Sequence, residues 1–334
     1  MKKIIKLFSA ILLLSITQQN VLAQNDNDNK NDNNKKYEFV KNKAVNKSYS
    51  VSSSDKLKIQ NSFGSVEVHT WNKNEIKVDV TIEVSANTEA IAQKVIDGIS
   101  VADSKNGGDI SFKTSIKGIN NSKGEKSTMK VNYDISMPAT NPLNISNEFG
   151  ATILPDFKGE VDLSSKFGSL TTGDLSNVKE LNVEFGKAKI ENANNGSVNI
   201  KYSTAVIDDL SGNIKLNLEF SSATRIYISH NLTSLDAKMS YSTANFKPIG
   251  NLSIACAIST SFGDFKNRTN VKFDDDDDNN EKKGPKFDHN YNGKWGSGSV
   301  PVKIHSSFGK IILGEPGADD MKDKVKNKSK TRTT

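Results

Sequence analysis

Hydrophobic and polar residues alternate along much of the chain, and an aromatic residue followed by Gly or Ser interrupts the alternation at regular intervals. From residue 149 to residue 262 these aromatic positions step by 18, 18, 17, 18, 21 and 21 residues. Self-similarity at a fixed period is typical of repeat architectures. The aromatic positions are Phe63, Phe149, Phe167, Phe185, Tyr202, Phe220, Tyr241, Phe262 and Phe308.

Each repeat predicts two short strands joined by a corner. Apolar residues lie two and four positions before the aromatic and three and five after it, as in the segment Leu181–Ile190 around Phe185. Alternation with period two indicates strands with one inward face. The phase shifts at the Gly or Ser, which predicts a bend there, because glycine permits a positive φ or a close backbone approach.

These repeats predict an all-β, single-chain β-solenoid, similar to a parallel β-helix, with coils of roughly 18–21 residues. At about 3.3 Å per residue, 18 residues trace roughly 60 Å, which is enough for one circuit of a narrow coil. Since stacked strands lie about 4.8 Å apart, we expect the nine aromatic residues to form a structural ladder inside the coils. The alternative, that the aromatic side chains point outward and bind sugars, stays open.

The long interval between residues 63 and 149 predicts a β-rich N-terminal subregion that carries one short helix. Apolar residues at i, i+4 and i+8 between Thr88 and Ile99 indicate an amphipathic helix with Thr88 as its N-cap. We expect this helix-bearing part and the last coil, near Phe308, to cap the open ends of the stack. Strand patterns in this subregion cover Ile76–Val84, Ile110–Ile116 and Met129–Met137.

The first residues predict export. A basic start, an apolar run over Leu7–Ile16 and small residues before position 24 are typical of a signal peptide cleaved after Ala23. A lipoprotein would need a cysteine at the new N-terminus, whereas the single cysteine is Cys256. We therefore expect a protein of the periplasm or cell surface of a Gram-negative-type bacterium, without a transmembrane segment after cleavage.

Composition sets the remaining domain boundaries. The 334 residues hold 45 Lys and Arg against 39 Asp and Glu, with a mean hydropathy of -0.54. Much of the excess positive charge lies at the two ends, so no nucleic-acid partner is expected for the body. The predicted order is a signal peptide over 1–23, a disordered Asn/Asp/Lys spacer over 24–46, the β-rich subregion over 47–142, the solenoid over 143–314 with an acidic insertion near 268–295, and a disordered basic tail over 315–334.

No residue pattern indicates a catalytic, cofactor-binding or metal-ligating site. The adjacent acids Asp208–Asp209 and Asp319–Asp320 lie in a turn and in the tail, which suits paired-carboxylate chemistry poorly. Cys256 is expected to pack as a small apolar residue, and calcium binding by Asp274–Asp278 is left open. We therefore expect a non-enzymatic, exported β-solenoid of the cell envelope that serves as an adhesin or binding scaffold. The alternatives are a carbohydrate-active parallel β-helix lyase or hydrolase and a structural or regulatory periplasmic protein. The histidines lack the spacing of zinc ligands and stand at His69, His230, His289 and His305.

Three motifs carry a resemblance to a known family. They are the repeated Ser/Asn-x-Phe-Gly-x-apolar unit, the step from Ile135–Pro138 into Leu143–Gly150, and Gly296-Ser297-Gly298 before Val302–Gly309. Over residues 55–314 the chain resembles the putative-adhesin family of exported bacterial β-solenoid proteins. The resemblance implies a non-enzymatic envelope protein without a cofactor, whose partner is an envelope protein or a surface polysaccharide of unknown identity.

Overall fold

The computed structural model describes residues 37–118, 124–275, 287–318 and 320–321. Over these ranges the protein is all-β with one short helix, as predicted. The elements of the first half are β1 (Phe39–Ser50), β2 (Lys56–Ser62), β3 (Val66–Trp71), β4 (Glu75–Ala86), α1 (Glu89–Asp97), β5 (Ile99–Asn106), β6 (Asp109–Ile116), β7 (Ser127–Pro138), β8 (Leu143–Glu148), β9 (Ala151–Leu154), β10 (Val161–Lys166), β11 (Ser169–Leu175) and β12 (Val178–Glu184). Those of the second half are β13 (Lys187–Lys201), β14 (Thr204–Ile207), β15 (Leu210–Glu219), β16 (Thr224–Ile228), β17 (Leu232–Ser240), β18 (Thr243–Pro248), β19 (Ile254–Ser261), β20 (Asp264–Arg268), β21 (Phe273–Asp275), β22 (Asp288–Lys294), β23 (Val300–Ser307) and β24 (Lys310–Gly314).

The strands form two stacks, which meet at the aromatic corners. The upstream stack consists of the strands that precede the repeat aromatics, extended by β5 and β6 at one end and by β22 and β21 at the other, in the order β5–β6–β2–β8–β10–β12–β13–β15–β17–β23–β19–β22–β21. The downstream stack consists of the strands that follow the repeat aromatics, extended by β1, β4 and β7 at one end, in the order β1–β4–β7–β3–β9–β11–β13–β14–β16–β18–β24–β20. The first half of β13 belongs to the downstream stack and its second half to the upstream stack. Pairing is parallel between neighbouring coils and antiparallel at three of the four stack ends, whereas the edge strand β20 pairs parallel with β24. The inward side chains of both stacks join one hydrophobic cluster.

The coils do not follow one another in chain order. Strand β17 pairs with β23, and β23 pairs in turn with β19. In the downstream stack β24 likewise lies between β18 and β20. The coil around Phe308 is therefore inserted between the Tyr241 and Phe262 coils. The expectation that the last coil caps the stack is wrong, because order along the chain does not fix order in space.

The N-terminal end carries the predicted helix. Helix α1 begins after Thr88, whose Oγ1 accepts a hydrogen bond from the Ile91 N–H at 3.3 Å. Its buried face, which includes Ile91 and Val95, contacts β1, β4, β5 and β7. This position covers core residues at the end of the stack and matches the expected cap. The predicted strands of this subregion are also confirmed, as β4, β6 and β7.

The predicted spacer over 24–46 is too long. Strand β1 begins at Phe39 and pairs with β4 through Ser50. Its sparse apolar residues Phe39, Val45 and Tyr49 pack against the core, while its lysines stay at the surface. An edge strand with one covered face needs few apolar residues, and lysines on it discourage pairing with other chains. Residues 24–36, like the predicted signal peptide, lie outside the described residues.

Aromatic side chains close the other end of the core. Phe265, Phe273, Tyr291 and Trp295 pack against the hydrophobic cluster, with Phe265 and Phe273 in an edge-to-face contact at 5.2 Å between ring centroids. The described part of the acidic insertion contributes here, since β21 and β22 form an antiparallel pair that extends β19. The run Asp274–Asp278 is described only as far as the backbone of residue 275.

The chain past β24 is partly folded, in contrast to the tail predicted over 315–334. Asp320 is buried, and its carboxylate lies 2.9 Å from Lys266 Nζ and 3.1 Å from Arg268 Nη2. The side chains of Lys266 and Arg268 come from β20, an edge strand. Lys310 Nζ lies 3.6 Å from the same carboxylate, so three cations pair with a side chain that the sequence pattern placed in a solvated tail. The pKa of this carboxyl lies well below its usual range because it accepts hydrogen bonds from Lys266 and from the Gly317 N–H, and because Arg268 is close.

Candidate interaction surface

Ten aromatic rings stack into one column along the meeting line of the two stacks. Neighbouring ring centroids are 4.7–5.0 Å apart, so nine steps carry the column over roughly 44 Å. Ring planes differ by 2–11° between coils and by 20° at the last step. We call this feature the aromatic column; in spatial order its residues are Phe63, Phe149, Phe167, Phe185, Tyr202, Phe220, Tyr241, Phe308, Phe262 and Phe287.

The column lies at the surface, whereas the sequence analysis placed the nine predicted aromatics inside the coils. Exposure ranges from 38% at Phe63 to 55% at Phe262. The nine aromatics that stand at coil corners have positive φ, between 47° and 64°. An extended residue two positions after an inward Val183 would also point inward, but the left-handed conformation at Phe185 turns its side chain outward. The expected inward direction of Phe63, Phe149, Phe167, Phe185, Tyr202, Phe220, Tyr241, Phe262 and Phe308 is therefore wrong.

The glycine after the aromatic allows the backbones of neighbouring coils to approach closely, because it has no Cβ. A Cβ added to Gly168 would meet the carbonyl oxygen of Gly150 at 1.9 Å, and one added to Gly186 would meet that of Gly168 at 2.2 Å. The sequence analysis allowed either a positive φ or a close approach at this position. The structure assigns the positive φ to the aromatic residue and the close approach to the glycine.

Serine replaces this glycine in three consecutive coils and is buried there. Ser203 Oγ donates to the Lys201 carbonyl at 2.6 Å and accepts from the Gly186 N–H at 2.9 Å. In the next coil the Ser221 N–H donates to Ser242 Oγ at 3.0 Å. The hydroxyl groups thus satisfy backbone groups at the corners, which buried polar atoms require.

A row of alternating charges runs beside the column. The residue before each aromatic points outward from the upstream stack, and in-register pairing aligns these residues from coil to coil. Lys166 Nζ lies 3.1 Å from Glu184 Oε2, and Lys201 Nζ lies 3.1 Å from Glu219 Oε2. We call this feature the charged row; it consists of Glu148, Lys166, Glu184, Lys201 and Glu219.

The stacking decides what the rings can offer a ligand. Each of the eight interior rings of the column has both faces covered by its neighbours, so only ring edges face the solvent. Sugar recognition by stacking of a pyranose on an aromatic face is therefore unavailable at these rings. The rings point outward, as the sugar-binding alternative requires. Their exposed edges, however, suit an extended apolar contact with a partner better than stacking of a sugar on a ring face.

The acidic candidates are separated by the fold. Asp208 lines an open groove on the outer face of the downstream stack, together with Glu67 and His69. Its neighbour Asp209 instead accepts a hydrogen bond from Ser229 Oγ at 3.0 Å. Asp319 lies outside the described residues, and Asp320 belongs to the ion-paired cluster described above.

The histidines and the cysteine do not converge on one site. His69 Nε2 lies 3.7 Å from carboxylate oxygens of Glu67 and Asp134, and His305 Nδ1 lies 2.8 Å from Ser259 Oγ. Cys256 is buried, as predicted, and burial raises the pKa of its thiol to about 12. Among the described residues no group of three or more His, Cys, Asp or Glu side chains could hold a metal ion.

One ring of the column was missed by the sequence analysis. Phe287 stacks on Phe262 at 4.7 Å between centroids, and its carbonyl accepts the Phe262 N–H at 2.8 Å. It precedes Asp288 and lacks the following Gly or Ser, so the motif search could not detect it. The charged row was not predicted either, although its glutamates and lysines directly precede the aromatics in the sequence.

Comparison with known proteins gives structural matches alone. No protein-family model and no curated protein sequence matches the chain. A "putative cell adhesion protein" from Clostridium sporogenes is 14% identical, with a TM-score of 0.26, over 83% of this chain and 100% of its own. A "putative adhesin" from Bacteroides fragilis is 14% identical, with a TM-score of 0.39, over 82% and 97%. A "putative lipid binding protein" from Parabacteroides distasonis is 12% identical, with a TM-score of 0.26, over 81% and 97%. Similarity at this level does not decide the function of the chain.

Proposed function

We propose that the protein is an exported, non-enzymatic β-solenoid of the cell envelope that acts as a binding scaffold, with the aromatic column as its contact surface. The observation that carries this proposal is the column itself. Monomeric soluble proteins rarely expose contiguous apolar patches beyond a few hundred Å². At about 100 Å² for each half-exposed ring, the ten rings together present roughly 1,000 Å².

The solenoid part of the proposal is supported by the strand pairing. From β8 to β18, each coil places one strand beside the equivalent strand of the next coil, in parallel and nearly in register. The repeat of 17–21 residues seen in the sequence corresponds to this translation from coil to coil. Coils of this kind bury their inward faces only when stacked.

Export belongs to the proposal as well. The predicted signal peptide over residues 1–23 lies outside the described residues, and its cleavage is proposed from the sequence alone. In the described part of the chain, no helix has the length and apolar character needed to cross a bilayer. Envelope placement would give the column access to surface polymers, envelope proteins and other copies of the chain.

The proposal is tested by binding purified residues 24–334 to whole cells and to a glycan array, with and without calcium, while released sugar ends are assayed. The decisive variant is the double substitution Phe167→Asn with Phe185→Asn, because asparagine tolerates a positive φ better than other non-glycine residues. The matched control is Ile153→Asn, which removes an exposed apolar side chain outside the column.

We expect saturable binding without new sugar ends, lost in the double variant and retained in the control, with circular dichroism showing that both variants are folded. Appearance of new reducing ends or unsaturated products would replace the scaffold proposal with a carbohydrate-active enzyme. Unchanged binding by the folded double variant would show that the column is not the contact surface.

A further inference from the structure

We propose that the partner of the aromatic column is the column of a second copy of this chain, packed antiparallel across a two-fold axis between the Phe185 and Tyr202 rings. This inference rests on the proposed function, because it requires the column to be a contact surface. It is carried by two independent observations: the area that the column exposes, and the order of charges beside it.

The exposed area matches what a stable dimer requires. An axis between Phe185 and Tyr202 places eight of the ten rings opposite rings of the second copy, from Phe63 through Phe308. At about 100 Å² for each half-exposed ring, the eight rings expose roughly 800 Å² on each partner, which is the area available for burial in the dimer. Interfaces of standard size bury about 800 Å² per partner. The rings that extend beyond the overlap are Phe262 and Phe287.

The two-fold geometry determines which flanks meet. An axis that lies in the interface and crosses the column at a right angle reverses the direction of the column but keeps the upstream side of one copy against the upstream side of the other. The charged row of each copy therefore faces the charged row of its partner in reverse order. A parallel arrangement would instead bring the upstream side against the downstream side.

The charge order restricts the register to two-fold axes that lie between rings, and the axis between Phe185 and Tyr202 combines two kinds of opposite-charge contact with eight overlapping rings. With the axis between the Phe185 and Tyr202 rings, Glu184 faces Lys201 of the second copy and Lys166 faces its Glu219, each contact occurring twice by symmetry. With the axis on the Phe185 ring itself, Lys166 would face Lys201 and Glu148 would face Glu219. Those like-charge contacts are unfavourable, so the alternating row permits the first register and opposes the second.

The charge order also favours a second copy over an anionic lipid surface. The charged row holds three glutamates and two lysines, whereas binding to anionic membranes depends on clusters of lysine and arginine. A lipid surface would gain from the apolar rings but would find no excess of positive charge in this row.

Charge reversal provides the test. In the Glu184→Lys dimer, lysines face lysines at both contacts; in the Lys201→Glu dimer, glutamates face glutamates. The Glu184→Lys chain has lysine at positions 184 and 201, and the Lys201→Glu chain has glutamate at both positions. In an equimolar mixture, a heterodimer of the two variants therefore restores opposite charges at both contacts. The control is Lys215→Glu, an exposed lysine four residues before Glu219 on β15 and beyond the roughly 8 Å screening length from the row.

Association of residues 24–334 is measured by sedimentation equilibrium in about 0.15 M salt. We expect a dimer for the unmodified chain and for the control, a dissociation constant raised roughly tenfold or more by each single reversal, and recovery in the mixture. An unmodified chain that stays monomeric at about 100 μM would overturn the inference. Failure of the mixture to recover would overturn the register, and with it the stated pairing of Glu184 with Lys201.

Three further results separate this inference from the proposed function. A monomeric chain that binds cells through the column, and loses binding in the Phe167→Asn, Phe185→Asn variant, would leave the function standing and remove the second copy as partner. A monomeric chain that sediments with vesicles of phosphatidylcholine and phosphatidylglycerol, and no longer does so in the same double variant, would assign the column to a lipid surface and likewise overturn the inference. If the Asn variant changes neither dimerisation nor cell binding, the proposed function itself fails.

Discussion

Replacement of Phe185 by alanine and by glycine tests why the column has its unusual backbone. Phe185 is 45% exposed, so about 110 Å² of an aromatic side chain of about 200 Å² is buried. At about 25 cal/mol per Å² this burial is worth at most ~2.7 kcal/mol, and residual burial in the unfolded chain lowers it to about 2 kcal/mol. The contacts with the Phe167 and Tyr202 rings add about 1 kcal/mol. Phe185→Ala should therefore lower the free energy of unfolding by about 3 kcal/mol.

Phe185→Gly should cost less, although glycine ordinarily destabilises a strand more than alanine does. The φ of residue 185 is 53°, and an L-residue in this left-handed region costs roughly 1–2 kcal/mol that glycine avoids. Glycine also loses more backbone entropy on folding, which offsets part of this gain. We therefore expect the free energy of unfolding of Phe185→Gly to be about 1 kcal/mol higher than that of Phe185→Ala.

The measurement is urea unfolding followed by far-UV circular dichroism, with Val183 as the matched position. Val183 is buried two residues earlier and is not among the residues with positive φ, so Val183→Ala should be more stable than Val183→Gly. The reasoning is refuted if alanine and glycine rank the same way at both positions. A loss well above 3 kcal/mol for Phe185→Ala would contradict the half-exposed position of the ring.

Three further outcomes are expected. Gly168→Ala should cost at least ~3 kcal/mol or prevent folding, since the new Cβ meets a backbone carbonyl at 1.9 Å; Ser203→Ala, where a Cβ is already accommodated, should cost only about 1–2 kcal/mol in urea unfolding. Asp320 has a lowered pKa, so its contribution is complete above the usual Asp pKa of about 4 and is lost as pH falls below it; Asp320→Asn should flatten the acid side of a Tm-against-pH profile, and an unchanged profile would contradict the ion-paired position. Cys256, buried and with a thiol pKa of about 12, should react with a thiol reagent only after urea is added, and prompt labelling of the folded chain would show that it is accessible.

The spacing of apolar residues predicted strands and the helix correctly where the backbone has regular strand or helix geometry. Period-two alternation located the strands on both sides of Phe185, and the spacing of apolar residues after Thr88 located helix α1. The side-chain direction of Phe185 was predicted wrongly, because alternation assumes extended backbone and a single positive φ reverses it. Bulky residues rarely adopt a positive φ, so the sequence alone gave no reason to expect the left-handed conformation at Phe185.

Relations between distant segments were harder to predict. Phe287 joins the column without its motif, and the Phe308 coil enters the stack out of chain order. Neither placement has a local cause that a repeat search could detect. Strand β1 was missed for a different reason, because pairing along β4 supplies backbone hydrogen bonds that its polar composition does not reveal.

The inserted coil constrains the sequence of events by which the chain can reach its final form. Residues 254–268 are synthesised before residues 300–314, yet their strands β19 and β20 pair with β23 and β24, which lie between them and β17 and β18 of the Tyr241 coil. Folding that starts at the N-terminus during synthesis can therefore add one coil after another as far as β18. The next coil of the stack cannot form until β23 and β24 have been synthesised. The Phe262 coil can pair with the rest of the stack only after β23 and β24 have been synthesised, so a chain arrested during synthesis before residue 300 would keep an open stack edge at β17 and β18.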